Sequence, residues 1–211
     1  MRKRLGVTMR VVQAPDSGEA RDALAQDWYA FLTEALEVVP VPIPNLGAAA
    51  VAYVQELGVE ALLLTGGEDV GASPSRDGTE RALLGHALAS GLPVIGVCRG
   101  LQMIQDHFGG RLARCGETHV NRPHPIELVH ERFGLPGSRR DVNSFHHWGV
   151  RREALASPLA AFAVSPDGFV EGCFHPEAPL VAVQWHPERA GSDRQADAKI
   201  LRSVLQTAGV S

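Results

Sequence analysis

The sequence predicts an α/β fold in which helices cover both faces of a mostly parallel central sheet, with a small antiparallel β region in the C-terminal half. As far as residue 111, strand patterns alternate with helix patterns, and the strands are apolar on both faces. Between residues 111 and 190, short alternating strands are separated by turn signals. No repeat or linker interrupts the 211 residues, so we expect a single domain over residues 1–211.

Local patterns predict the first elements of the chain. Residues 5–12 are expected to form a strand, and apolar residues at helical spacing predict a helix over residues 19–36. Alternating prolines favour an extended edge segment at residues 38–45. A second helix is expected over residues 46–57 and should end at Gly58.

The same alternation continues through the middle of the chain and returns at its end. The patterns predict a strand at residues 59–67, a helix at 79–91, a strand at 92–97, a helix at 99–110, a strand at 180–185 and a closing helix at 196–205. The parallel strands should end at one edge of the sheet, where ligands bind in folds of this class.

Composition and charge exclude several classes of function. The formal net charge is −4 and no basic block occurs beyond residues 2–4, so neither nucleic acid nor an anionic membrane is an expected partner. The start lacks the apolar stretch of a signal peptide, and the longest candidate span, residues 46–54, is far shorter than the roughly 20 residues that cross a bilayer. Three widely spaced cysteines without a CxxC pair disfavour disulfides and a cysteine-rich zinc site. We therefore expect a cytoplasmic protein.

A cysteine stands at the corner between a predicted strand and a predicted helix. Cys98 has Gly96 two places before it and Gly100 two places after it, the cysteine counterpart of a nucleophile elbow. Such a corner pushes the side chain into the cleft, and the following helix N-terminus favours the thiolate. Cys98 is therefore the candidate nucleophile, with a buried structural cysteine as the alternative.

A candidate base and its orienting group follow a second apolar strand. His186 lies at the end of that strand, and Glu188 comes two residues later. Residues i and i+2 of an extended chain point to the same side, so Glu188 can hold one imidazole nitrogen while the other faces Cys98. The alternative interpretation is a surface turn.

An oxyanion would need two backbone N–H donors close to the nucleophile. The amide of Arg99, directly after Cys98, is one candidate. The Gly66-Gly67 turn at the end of the neighbouring strand can supply the other, because glycine lets the backbone approach a substrate closely.

Three motifs together resemble those of the class I glutamine amidotransferase family. They are TGGED at residues 65–69, GVCRGLQ at 96–102 and QWHPE at 184–188. Two further segments, VNSFHHWGV at 142–150 and DGFVEG at 167–172, resemble the γ-glutamyl hydrolase branch, which includes the γ-glutamyl-GABA hydrolases. The resemblance implies a flavodoxin-like sheet, a Cys-His-Glu triad and hydrolysis of a γ-glutamyl amide through a thioester, without a cofactor.

The same resemblance assigns roles to individual residues. Cys98, His186 and Glu188 take the triad positions, and Gly67 and Arg99 take the oxyanion positions. Gln102 would contact the γ-glutamyl part of the substrate. The segment of Asn143, Ser144, Phe145, His146 and His147 would bind its amino-acid end. Gly66 and Trp148 complete the implied substrate contacts.

Two departures from the branch pattern bear on the substrate. Trp148 stands where the branch usually has Gln, and the loop at residues 11–32 is short. With the proline-rich segment, these features are similar to the γ-glutamyl-CDP-amidate hydrolases of capsule phosphoramidate synthesis. A planar indole suits a nucleobase, and Arg10, Arg21 and Arg139 lie in segments that could reach a phosphate.

Histidines in the second half raise a metal site as an alternative. The region holds Glu117, His119, His124, His130, His146 and His147, but no HExxH or other short ligand spacing. We therefore expect no metal ion. We also expect one of His146 and His147 to face the cleft, because neighbouring residues of a strand face opposite sides.

Three functions remain open on the sequence alone. The first is a free-standing hydrolase that acts on a small γ-glutamyl molecule. The second is a glutaminase that passes ammonia to a synthetase partner, and the third is a non-catalytic binding module on the same fold. A homodimer is an open alternative for the assembly.

Overall fold

The computed structural model describes residues 1–135 and 137–206. In chain order the strands are β1 (Arg4–Thr8), β2 (Arg10–Gln13), β3 (Ala20–Ala23), β4 (Val39–Ile43), β5 (Ala61–Leu64), β6 (Val94–Val97), β7 (Ala113–Arg114), β8 (His124–Leu128), β9 (Arg139–Val142), β10 (Trp148–Arg151), β11 (Ala160–Val164), β12 (Phe169–Phe174) and β13 (Leu180–Val183).

The helices alternate with the first strands and return at the end of the chain. They are α1 (Asp27–Ala30), which continues as a π-helical turn over Phe31–Ala35, α2 (Ala50–Glu56), which follows a 3₁₀ turn at Gly47–Ala49, α3 (Pro74–Ser90), α4 (Arg99–His107) and α5 (Arg194–Leu205). Two further 3₁₀ turns lie at Glu117–His119 and Arg152–Ala154.

One large sheet organises the part of the chain that the structure describes. Its parallel part has the order β4-β1-β5-β6-β13, and the antiparallel strands β12, β11, β8 and β9 continue it beyond β13. Strand β10 pairs with β12 and β7, while β2 and β3 form a separate antiparallel hairpin. The α/β fold with a mostly parallel sheet and surrounding helices is therefore confirmed, as is the antiparallel region in the C-terminal half.

Two apolar cores cover the two faces of the parallel strands. Leu63 packs into one core with residues of α1, its π-helical turn and α5, whereas Leu62 and Leu64 pack into the other with residues of α2, α3 and α4. All three side chains are fully buried. Successive side chains of a strand point to opposite faces, so a strand covered on both faces must be apolar at every position. This explains the continuous apolar runs in the sequence.

The parallel register brings several strand ends to one edge. Leu64 of β5 pairs with Gly96 of β6, and Val97 of β6 pairs with Val183 of β13. The residues that follow these strands, from Thr65, Cys98 and Gln184 onwards, therefore emerge side by side. This is the edge at which the sequence places its candidate site.

The N-terminal region differs from the expected one. The predicted strand at 5–12 is interrupted at Met9, and residues 20–23 form β3 instead of the first turns of a helix, which begins only at Asp27. Strand β1 already spans the buried sheet, so the chain leaves it after Thr8 and pairs with itself in a hairpin. Apolar residues at 23 and 24 fit helical spacing, but pairing with β2 decides their conformation.

Most other elements lie close to their predicted bounds. Helix α3 begins at Pro74, five residues before the expected start, with Ser73 as its N-cap and proline at its first position. It ends at Gly91, which has a left-handed φ of 69°. Within the described residues, no helix is both long and apolar enough to cross a membrane.

Candidate active site

Cys98 occupies a strained corner between β6 and α4. Its φ of 54° and ψ of −105° are unusual for a residue with a side chain, and it is the N-cap of α4. A Cβ on Gly100 would lie 2.2 Å from the carbonyl oxygen of Leu64, so only glycine lets the corner pack this closely against β5. The Cys98 N–H donates to the Val183 carbonyl at 2.8 Å, which ties the corner to the strand that carries the candidate base.

His186 and Glu188 form a short buried pair beside this corner. The Nδ1 atom of His186 lies 2.7 Å from Oε1 of Glu188, and both residues are buried. A Cβ on Gly66 would lie 2.7 Å from Cε1 of His186 and 3.5 Å from the Cβ of Cys98, so ring and thiol both pack against the turn after β5. The structure thus brings together all three residues predicted as a triad.

The environment of His186 favours its charged form. Burial alone lowers the pKa of His186, but the charge of the Cys98 thiolate, a hydrogen bond with it and the Glu188 carboxylate outweigh burial and raise the pKa to about 9. An imidazolium paired with a thiolate is the resting arrangement that a cysteine nucleophile needs.

Asn143 fixes the backbone of His186. Its Oδ1 accepts the His186 N–H at 2.9 Å, and its Nδ2 donates to the His186 carbonyl at 2.9 Å. This reciprocal pair is buried. Asn143 was predicted as a substrate contact, but in the structure its amide group engages the main chain of the candidate base.

The turn after β5 is held from behind by Arg76. The fully buried guanidinium donates to the carbonyl oxygens of Thr65 at 2.8 Å and Gly66 at 3.1 Å. A trans peptide places its C=O and N–H on opposite sides, so this grip turns the Gly67 N–H away from Arg76. Gly67 has a φ of 150°, and a Cβ there would lie 2.3 Å from an Arg76 nitrogen, which explains the glycine.

Arg76 belongs to a buried network that also holds Arg99. The two arginines share the Glu80 carboxylate, and Arg99 also pairs with Asp77. The Arg99 side chain therefore points into the interior, and only its backbone lies at the corner. Arg76 also contacts Glu68 at 2.9 Å. Burial raises the pKa of Glu68, but the Arg76 charge, backbone hydrogen bonds and the Arg99 charge together outweigh burial, and the pKa is lowered.

Four more residues predicted as substrate contacts are Gln102, Ser144, His146 and His147, and three of them are buried. Gln102 is buried, and its Nε2 donates to the Trp148 carbonyl at 2.8 Å. Ser144 is buried and donates to the His119 carbonyl at 2.6 Å, away from the triad. His147 is exposed, whereas His146 is buried and its Nε2 atom lies 3.7 Å from Glu171 of the antiparallel region.

Two aromatic residues contact segments that form the site. The exposed Phe145 ring packs edge-on against the His186 ring with centroids 5.6 Å apart, and the Arg189 guanidinium lies 4.5 Å above it. The half-buried Trp148 donates from Nε1 to Asp69, in the loop after the Gly66-Gly67 turn, at 3.1 Å.

The three arginines considered for phosphate binding lie in different places. Arg10 lines a small pocket together with Gly66, Gly67 and His186, and its side chain is 47% exposed. Arg21 is exposed and pairs with Glu19 at 2.8 Å. Arg139 is exposed at the start of β9, where it pairs with Glu127 of β8.

Sequence reasoning missed Arg76 and Arg189. Arg76 lies on a helix eight or more residues from its partners in the turn, and nothing local marks it as buried. Arg189 directly follows Glu188 and could have been considered from that position alone. The positioning role of Asn143 had no local signal, because its partner His186 is far away in the sequence.

Comparisons with known proteins show the family of this chain. The model of the family described as Peptidase C26 matches residues 5–188. The chain belongs to this class I glutamine amidotransferase-like family. It is 28% identical over 191 residues to the γ-glutamyl-CDP-amidate hydrolase of Campylobacter jejuni, covering 88% of this chain and 90% of that protein.

Two further proteins extend the comparison. A glutamine-hydrolyzing GMP synthase subunit from Thermococcus kodakarensis is 28% identical over 167 residues, 79% of this chain and 84% of its own. A crystal structure from Thermoplasma acidophilum, described as that of a GMP synthase subunit, superposes with a TM-score of 0.73 over 98% of this chain and 96% of its own, at 20% identity. The structural likeness shows the shared fold.

The pKa of His186 should depend on both partners. Cys98→Ala should lower it well below 9, because the thiolate charge is the largest influence that raises it, and Glu188→Gln should lower it by a smaller amount. NMR titration of the imidazole signals measures this, with the His186 signal identified by its loss in His186→Gln. Cys173→Ala is the matched control, and a pKa that stays at about 9 in both variants would contradict the assigned pairing.

Proposed function

We propose that this protein is a hydrolase that cleaves a γ-glutamyl amide bond through a thioester on Cys98. The observation that supports this most directly is the 2.7 Å pair of His186 and Glu188 packed beside a cysteine at a strained strand–helix corner. Membership of the Peptidase C26 family fits amide-bond hydrolysis. A non-catalytic module would have no need to keep this strained corner and a buried histidine–carboxylate pair.

The proposed first step forms the thioester. The Cys98 sulfur attacks the carbonyl carbon of the γ-glutamyl amide, and the electron pair of the C=O bond moves to oxygen. When the C=O bond re-forms, the C–N bond breaks and His186 gives its proton to the leaving nitrogen. Glu188 keeps the imidazole oriented throughout.

The second step releases glutamate. His186, now neutral, takes a proton from a water molecule, whose oxygen attacks the thioester carbonyl. The C–S bond breaks when the C=O bond re-forms, and Cys98 leaves as the thiolate. The proton taken from water stays on His186, which restores the thiolate–imidazolium pair. In both steps the negative oxygen would accept hydrogen bonds from the Gly67 and Arg99 amides, which the Arg76 network holds in place.

The three cysteines should differ sharply in their importance. Cys98→Ala should reduce kcat by several orders of magnitude with nearly unchanged substrate affinity. Cys115→Ala and Cys173→Ala should stay active, because burial raises the pKa of each thiol to about 12 and keeps it neutral. Glutamate release measures turnover, and mass spectrometry of the acid-quenched enzyme detects the thioester. If Cys98→Ala keeps more than about a tenth of the rate, the nucleophile is another group.

Arg76 should affect the rate without contacting the substrate. Arg76→Lys keeps a charge but cannot hold both carbonyls of the turn, so the Gly67 amide loses its fixed direction. We expect kcat to fall by up to about a hundredfold with little change in KM, because losing an oxyanion donor outright costs about 10²–10³. Arg81→Lys, an exposed change on the same helix, is the control. A folded Arg76→Lys protein with normal kcat, or with its loss confined to KM, would refute this positioning role.

We further propose that the leaving group is a nucleotide amidate. The similarity to the γ-glutamyl-CDP-amidate hydrolase extends over about nine-tenths of both chains. The half-buried indole of Trp148 donates to Asp69, which lies in the loop after the Gly66-Gly67 turn. The exposed side chain of Arg10 lines the small pocket that contains this turn. A flat aromatic face suits a base, and a guanidinium suits a phosphate.

This substrate assignment predicts a preference for nucleotide amidates over glutamine, which substitutions at Trp148 and Arg10 should reduce. A γ-glutamyl nucleotide amidate should exceed glutamine in kcat/KM by about a hundredfold, since base stacking contributes about 1–3 kcal/mol and a phosphate contact adds to it. Trp148→Gln and Arg10→Ala should each weaken the nucleotide substrate and leave glutamine turnover nearly unchanged. Arg139→Ala, an exposed change at the start of β9, is the control. Equal efficiency on glutamine or a simple γ-glutamyl-amine would end the nucleotide assignment and leave the general hydrolase.

A second candidate is a glutaminase that supplies ammonia to a synthetase partner. The similarity to a glutamine-hydrolyzing GMP synthase subunit over 79% of this chain favours it. This function predicts that glutamine is the best substrate of the panel and that its turnover rises when a synthetase partner is added. Full activity of the isolated chain on a nucleotide amidate would exclude it.

A further inference from the structure

Four buried side chains in the antiparallel region converge on one point. They are His119 in the 3₁₀ turn, His124 on β8, His146 before β10 and Glu171 on β12, and one polar atom of each lies within 4.8 Å of all the others. Their exposed fractions are 1%, 8%, 3% and 0%. The triad does not use any of them, so the mechanism above leaves this cluster without a purpose.

The atoms that face the centre of the cluster have no hydrogen-bond partner among the described residues. These atoms are Nδ1 of His119, Nε2 of His124, Nε2 of His146 and both carboxylate oxygens of Glu171. A fully buried carboxylate without any donor is costly, and three more unsatisfied polar atoms at the same place add to that cost. An additional cationic group at the centre would satisfy all of them at once.

The contacts of the outward nitrogens favour one tautomer for each neutral ring. His119 Nε2 contacts Asp167 at 3.0 Å, His124 Nδ1 contacts the Pro125 carbonyl at 3.2 Å, and His146 Nδ1 contacts the Trp148 carbonyl at 3.0 Å. Every one of these partners is an acceptor, so each outward nitrogen carries the proton. In a neutral ring of this tautomer the inward nitrogen presents a lone pair to the centre, which is the arrangement that supports histidine as a metal ligand.

The distances suit a tetrahedral ion. The Oε1 atom of Glu171 lies 3.4 Å from His119 Nδ1, 3.6 Å from His124 Nε2 and 3.7 Å from His146 Nε2. Metal–ligand bonds of about 2.1 Å place tetrahedral ligand atoms about 3.4 Å apart. Three imidazole nitrogens and one carboxylate oxygen form a donor set typical of zinc.

We propose that His119, His124, His146 and Glu171 bind one Zn²⁺ ion in a closed structural site. Four protein ligands and complete burial leave no position for a substrate, which separates this site from a catalytic one. The ion connects four segments that are distant in the sequence. The expectation of no metal rested on the absence of short ligand spacing, and this fold assembles the ligands without it.

The proposed ion also supports the candidate active site from behind. His146 follows Asn143 by three residues, and Asn143 fixes the backbone of His186. Ser144 Oγ and the His146 N–H both bond to the His119 carbonyl, so the 3₁₀ turn and the 143–148 segment are already joined. A zinc ion would make this connection rigid, and its loss should lower the stability of the fold.

Metal binding by the whole chain tests the proposal. The protein, stripped with a chelator and confirmed as folded by circular dichroism, is titrated with Zn²⁺ and separately with Co²⁺. We expect one ion per chain by mass-spectrometric metal analysis, a higher Tm with Zn²⁺, and the intense visible absorption of tetrahedral Co²⁺. A folded chain that binds neither ion, or one that gives only the weak spectrum of octahedral Co²⁺, would overturn the proposal in favour of protons shared among the histidines.

Variants locate the ion and distinguish this site from other histidines. Glu171→Gln and His124→Gln should abolish the tetrahedral Co²⁺ spectrum, and Asp167→Asn should weaken binding about ten- to a hundredfold, because it supports His119 from the second layer. His130→Gln, an exposed change in the same region, is the matched control and should bind normally. If Glu171→Gln or His124→Gln does not fold, Asp167→Asn still decides, and unchanged affinity in that variant would contradict the assigned ligands.

Discussion

The geometry of the candidate site depends on the buried carboxylate of Glu80, where two arginines meet. Arg76 holds the turn after β5, and Arg99 begins the helix after Cys98, so one carboxylate joins the two segments that carry the proposed oxyanion donors. Burying such a network gains little stability, because desolvation offsets most of the attraction. Removing one member would leave an unpaired charge at a cost of about 3–5 kcal/mol. The network therefore serves mainly to fix directions at the corner.

A second set of contacts holds the base from the other side. His186 is fixed through its main chain by Asn143 and through its ring by Glu188, while the Cys98 N–H is tied to Val183 on the strand that leads to His186. The candidate nucleophile and the candidate base are thus both positioned by one strand pair, β6 and β13. Side chains on rigid strand ends keep a precise geometry more easily than side chains on long loops.

Local patterns were enough to predict much of the fold and part of the site. Apolar runs gave the buried strands, and glycine spacing around Cys98 gave the corner, because both signals lie within a few residues. The β2–β3 hairpin was missed because its conformation depends on pairing between strands about ten positions apart, which overrides helical spacing. The role of Arg76 and the meeting of His146 with Glu171 were also missed, since each depends on partners distant in the sequence.

The side chains of the 143–148 segment differ in how freely they can vary. Its buried side chains have specific partners that other residue types would not match. Asn143 bonds to the His186 carbonyl, and His146 lies beside Glu171. Trp148 differs, because Gln102 and His146 both bond to its carbonyl oxygen and not to its side chain. Replacing the side chain at this position preserves both hydrogen bonds. A different side chain at position 148 can therefore be accommodated without disturbing the residues that hold the main chain of His186.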